Sequence, residues 1–161
     1  MKTLVLGIGN SILSDDGIGI RVAQETRERV RDPQVTVRES SGAGLSVLDS
    51  IAGYEHVIII DAIQTESGKT GQIHRLGPED FSLARHLPSP HQIDLVTALQ
   101  LGQKLGLAIP SRVTIFAVEA KDVSTFGQKC TPEVERAIPE VVGMVLDELV
   151  QSTGKEGIRS E

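Results

Sequence analysis

The chain has 161 residues, a length that suits one domain around a single core, and its 39% hydrophobic and 24% charged residues fit a globular protein. Aromatics make up only 2% (Tyr54, Phe81, Phe116, Phe126) and the net charge is −6. The chain therefore lacks the stacking platforms and the basic surface that nucleic-acid partners require. Its single cysteine, Cys130, excludes an intrachain disulfide and suits a reducing compartment. Gly7 and Gly9 break the N-terminal apolar run before signal-peptide length, and no apolar run approaches the ~18 residues of a membrane helix. The expectation is a cytoplasmic protein with no membrane partner.

In chain order, Thr3 to Ile8 is a continuous apolar run of the kind buried on both faces of a parallel sheet. A loop through Asp15–Asp16–Gly17 feeds a helix from Ile18 to Arg31, which Pro33 ends. A second strand, Val35 to Arg38, leads into a small-residue loop, Ser40–Ser41–Gly42–Ala43–Gly44, and a short helix from Leu45 to Ala52. Val57 to Ile60 reads as a central strand ending at Asp61, and Gly71 to Arg75 as a shorter one. Pro88 and Pro90 precede a helix that starts near His91 and carries Ile93, Val96 and Leu99 on one side. Val113 to Val118 is another strand. The last helix has Thr131 as N-cap, Pro132 in the first position and an apolar stripe through Val134, Ile138, Val141, Val142, Val145 and Leu149, which Pro139 interrupts and could kink.

This alternation predicts an α/β fold: a three-layer α/β/α sandwich with a mostly parallel twisted sheet of about five strands. One domain over residues 1–153 and a disordered polar tail over 154–161 are expected. In such a sheet ligands gather at the carboxyl ends of the strands. That rule selects Asp15 and Asp16 after the first strand, Glu39 and the Ser–Gly loop after the second, and Asp61 after the third. His91, at a helix start, could project into the same rim. His56, His74 and His86 read as surface or turn residues. Two carboxylates and one imidazole from three loops would form an open metal site of a type that zinc or nickel accepts, and spacing alone leaves their convergence open.

Rival chemistries are weaker. Gly7–Ile8–Gly9–Asn10–Ser11–Ile12 is close to a dinucleotide-binding fingerprint, with Glu39 placed for a ribose. The third glycine is replaced by Ile12, which should crowd helix against strand, and Asp15–Asp16 opposes a pyrophosphate. A Rossmann-type oxidoreductase is therefore the lesser alternative. No HExxH helix, GK[ST] phosphate loop or GxSxG elbow is present. Cys130, just before a helix, reads as a cap or packing residue.

Taken together, GIGNSILSDDGIGI (Gly7 to Ile20), the Ser40–Gly44 loop, IIIDAI (Ile58 to Ile63), SPHQIDL (Ser89 to Leu95), Val113–Glu119 and the Thr131–Val134 helix start resemble the nickel–iron hydrogenase maturation endopeptidases. The likeness runs over nearly the whole chain. It implies an enzyme, a nickel-dependent endopeptidase of aspartyl or metal type. Such an enzyme removes the C-terminal extension of a hydrogenase large-subunit precursor after nickel insertion. It also implies that Asp16, Asp61 and His91 are the metal-contacting and catalytic residues, with Asp16 standing where some members carry Glu. The nickel is expected to arrive with the substrate, with no tightly held metal in the free protein and no organic cofactor. The residues themselves are equally compatible with a metal owned by the protein, and Asp15 is a possible general base. The chain is expected to be a monomer when free. A nickel-escort or docking protein without proteolysis is the non-enzymatic alternative.

Overall fold

The computed structural model of the chain describes residues 1–42, 45–84 and 94–154. Among these residues five strands form one sheet: β1 (Thr3–Ile8), β2 (Val35–Ser40), β3 (His56–Ile63), β4 (Ile73–Leu76) and β5 (Arg112–Glu119). Their order is β2-β1-β3-β5-β4, with all neighbours parallel except the antiparallel edge pair β4–β5. Helices α1 (Ile18–Arg29) and α5 (Pro132–Gly154) cover one face; α2 (Ser46–Ile51), α3 (Pro78–Ala84) and α4 (Leu95–Lys104) lie on the other. This is the expected three-layer sandwich.

Strand alternation splits the core into two halves. Ile58, Ile60 and Ala62 of β3 face α1 and α5, whereas Val57, Ile59 and Ile63 face the α2–α4 layer. The stripe from Val134 to Leu149 is buried throughout. Pro139 lies inside one continuous α5, where it forfeits the hydrogen bond its N–H would have given the Glu135 carbonyl without ending the helix. The structure differs from the sequence reading at several ends. β3 runs on to Ile63, so Asp61 is inside the strand, and α1 stops at Arg29. Helix α3 is additional: it is short, and Phe81 is its one buried side chain, too little for a periodic signal. Residues 85–93 and 155–161, which contain Pro88, Pro90, His91, Ile93 and nearly all of the expected tail, lie outside the described residues.

Backbone contact fixes α1 on the sheet. A Cβ at Gly19 would sit 2.4 Å from the Ile8 carbonyl oxygen and 2.3 Å from that of Ile60; one at Gly7 would sit 2.2 Å from the Gly19 oxygen. Only glycines allow this approach. Ile12 has no part in it, being 46% exposed. The replaced third glycine of the dinucleotide-like pattern therefore crowds nothing, because the close packing is made further along the chain.

At the amino ends of β3 and β5, Glu148 of α5 is buried with its Oε1 accepting hydrogen bonds from Arg75 (3.1 Å), Arg112 (3.0 Å) and Thr114 (2.9 Å). His56, fully buried and not a surface residue, lies 3.7 Å from the same oxygen and pairs with Ser152 at 3.1 Å. Burial, and then the Arg112 charge, holds the imidazole below its ordinary 6.5. For Glu148 burial acts upward, but the Arg75 and Thr114 hydrogen bonds and the two arginine charges outweigh it, leaving the carboxyl below 4.5. Each group binds fewer protons folded than unfolded, so stability rises with pH across both ranges. Denaturant melts should show stability falling as pH drops from 6.5 through the depressed His56 value, then again below 4.5 as Glu148 protonates. His56→Gln should flatten the first fall and leave the second, and an unchanged profile in that variant would refute the assignment.

Candidate active site

The order β2-β1-β3 reverses the winding direction between β1 and β3, which opens a crevice at their carboxyl ends. Two of the three expected site residues are described, and both stand there. Asp61 comes one position after the last β1–β3 pair, Gly7↔Ile60, level with the end of β1. It is 3% exposed, its side chain is on the α2–α4 face by alternation, and its Oδ1 accepts the Ala62 N–H at 2.8 Å. Asp16 belongs to a 3-10 turn, Ser14–Gly17, that packs against β3.

That turn is closed by its own polar groups. The Asn10 N–H donates to Asp16 Oδ2 at 3.0 Å and to the Asp16 carbonyl at 3.3 Å. Asn10 Oδ1 in turn accepts the Ile12 N–H at 3.2 Å. Gly9, at φ +151°, gives the Asp16 carbonyl room: a Cβ there would sit 1.9 Å from it. His91 lies outside the described residues. The chain re-enters at Asp94, just before α4, whose Leu95 and Ala98 pack on the face that carries Asp61. Among the described residues no three His, Cys, Asp or Glu side chains converge as a metal site. Asp16 and Asp61 offer two hard oxygen donors, a fit for a metal completed by a further ligand.

Asp15 and Asp16 are adjacent but unalike. Asp15 is fully buried, and its carboxylate accepts the N–H groups of Lys121 (2.9 Å), Asp122 (3.0 Å) and Thr131 (2.6 Å) together with the Thr131 hydroxyl. A carboxylate filled by four donors is a structural clamp, which removes Asp15 as a general base. The Thr131 hydroxyl serves Asp15, and Glu135 reaches back to accept the Cys130 N–H at 3.0 Å. Cys130 packs in the core beneath α5, and burial pushes its thiol up to about 11, so it is no nucleophile. Glu39 pairs with Arg27 at 3.3 Å. In the small-residue loop, the Gly42 N–H donates to Ser40 Oγ at 3.1 Å, while Ala43 and Gly44 lie outside the described residues.

Sequence reasoning missed a second polar cluster on this rim. Glu119, at the end of β5 and 2% exposed, accepts hydrogen bonds from the Thr65 N–H and hydroxyl and pairs with His74 Nε2 at 3.0 Å. His74 is thus an ordered β4 residue, and the absent side chain of Gly68 leaves room for the Glu119 carboxylate. Only the strand-end position of Glu119 could have pointed to it.

A family model for hydrogenase maturation proteases (HycI) matches residues 20–148. The hydrogenase 2 maturation protease of Escherichia coli K12 is 32% identical over 163 aligned positions, spanning all of this chain and 98% of that protein. The chain belongs to the hydrogenase maturation protease family. It is accordingly a hydrolase, an endopeptidase of hydrogenase maturation. The fold agrees: the structure of the E. coli maturating endopeptidase HybD superposes with a TM-score of 0.81 at 30% identity, covering 94% of each chain. A hydrogenase 2 maturation peptidase from a Thaumarchaeota archaeon gives 0.66 at 28% identity, covering 92% of this chain and 98% of that one. The switch-point crevice of this sheet is bordered by the turn that carries Asp16 and the strand that carries Asp61. No described helix is long and apolar enough to cross a membrane.

Proposed function

We propose that the chain removes the C-terminal extension of a nickel–iron hydrogenase large-subunit precursor after nickel insertion, recognising the nickel through Asp16, Asp61 and His91. The observation that carries this reading is the arrival of Asp16 and Asp61, from separate elements, at the crevice between β1 and β3. In this reading the nickel belongs to the substrate. Two carboxylates and an imidazole, with no thiolate, hold a divalent ion less firmly than a structural zinc site does, which suits a reader of metal already seated in a partner. The three side chains contact the nickel and thereby fix the scissile peptide beside it. Hydrolysis adds water across that bond, leaving a new carboxylate on the large subunit and a free amine on the released peptide. The enzyme acts as a cytoplasmic monomer in this proposal and needs no resident metal or organic cofactor.

Intact-mass measurement of the large-subunit precursor, nickel-loaded and metal-free, with and without the protein, tests it. The expected result is loss of one C-terminal peptide from the nickel-loaded form alone. Equal cleavage of both forms would refute nickel reading. Tight stoichiometric nickel binding with no mass loss would favour the escort role instead.

A further inference from the structure

The segment after β5 returns to the Asp16 turn and is fastened to it. The Gly127 N–H donates to the Ile12 carbonyl at 2.8 Å, the Ser14 N–H donates to the Gly127 carbonyl at 3.0 Å, and Leu13 and Gly127 form a parallel bridge. Ile12 and Phe126 each precede one residue of that bridge, and the hydrogen bond from Gly127 to the Ile12 carbonyl ties their two backbones together. Both are solvent-facing, Ile12 at 46% and Phe126 at 80% exposure. The other two phenylalanines, Phe81 and Phe116, are buried, so Phe126 stabilises the fold little.

Nor is the segment loose. Asp15 clamps it at both ends, through the N–H groups of Lys121 and Asp122 and through Thr131. Asp122 Oδ1 accepts the N–H groups of Ser124 and Thr125, and the Ser14 hydroxyl donates to the Lys129 carbonyl. An exposed aromatic on a pinned backbone, with an exposed aliphatic residue on the segment bonded to it, suits a protein–protein anchor, because little loop entropy is lost on docking.

We propose that the Ile12–Phe126 ridge docks the folded body of the protein substrate. The ridge is continuous with the turn that carries Asp16, and an endopeptidase holding a terminal segment in the β1–β3 crevice must have the rest of its substrate against the adjoining rim. This inference rests on the proposed large-subunit substrate, and the test separates the two. Wild type, Phe126→Ser, Ile12→Ser and a control, Leu105→Ser, exposed at the C-terminal end of α4, are compared on immobilised nickel-loaded precursor for affinity and in solution for cleavage.

Both ridge variants should melt with the wild type, bind at least about tenfold more weakly, and raise KM while keeping kcat at saturation. Leu105→Ser should match the wild type. Unchanged affinity in both ridge variants would overturn the proposal. So would failure of the wild type to bind the precursor, or a wild-type dimer that Phe126→Ser breaks, since the ridge would then serve a second copy. If the wild type binds through the ridge but releases no peptide, the cleavage reading fails and the docking surface stands.

Discussion

Asp61→Asn should leave the fold intact and lower processing of the nickel-loaded precursor by at least about a hundredfold. The substitution is nearly isosteric, and an amide oxygen can still accept the Ala62 N–H that Asp61 Oδ1 now accepts at 2.8 Å. What disappears is the negative charge and one donor oxygen at the crevice, which is what a contact to a divalent ion uses. Asp16→Asn makes the same test on the other wall, since an amide oxygen can keep the Asn10 N–H. His91→Ala extends it to the third residue. Circular dichroism and melting within a few degrees of wild type, together with loss of the mass change, are the expected pair of readouts. Full processing by these variants would refute the site.

The neighbouring carboxylate should behave in the opposite way. Asp15→Ala strands three backbone N–H groups and a hydroxyl that converge, themselves part-buried, on the fully buried Asp15 carboxylate. Leaving such donors unsatisfied costs about 1–3 kcal/mol each, so Tm should fall by at least several degrees for a domain of this size. Asp15→Asn should also destabilise, because its amide N–H groups would be turned toward donors with no acceptor to meet. Thermal melting measures both. A melting temperature within 2 °C or so of wild type in Asp15→Ala would show that the clamp contributes little. The pairing of a costly Asp15 change with a stability-neutral Asp16 change is the sharpest contrast available in this turn.

Much of the fold was legible because it rests on local pattern. The apolar run Thr3–Ile8 is β1 to the residue, and α5 starts at Pro132 as expected, although the Thr131 hydroxyl bonds Asp15. The layers follow from strand–helix alternation. The site was legible only in part. Strand-end logic selects Asp16 and Asp61 as candidates, but nothing local tells Asp15 from Asp16: the difference is made by Lys121, Asp122 and Thr131, more than a hundred positions away. The same holds for His56, whose burial depends on Glu148 and Ser152 of α5, and for His74, ordered by Glu119 across a strand pair. Long-range polar pairing leaves no periodic trace. Asp61 looked like a strand terminus because its charge interrupts an apolar run, yet the backbone ladder continues through Asp61↔Ala117 to Ile63↔Glu119.

The glycine contact of α1 has a further meaning for how this enzyme can vary. With Gly19 resting on the carbonyls of Ile8 and Ile60, the spacing between the turn that holds Asp16 and the strand that holds Asp61 is gauged by main chain against main chain. Side-chain volumes elsewhere in the core do not enter that gauge. Drift among Val, Ile and Leu in either core half should therefore alter stability while leaving the two carboxylates in step. A single methyl group at position 19 would act as a wedge between them.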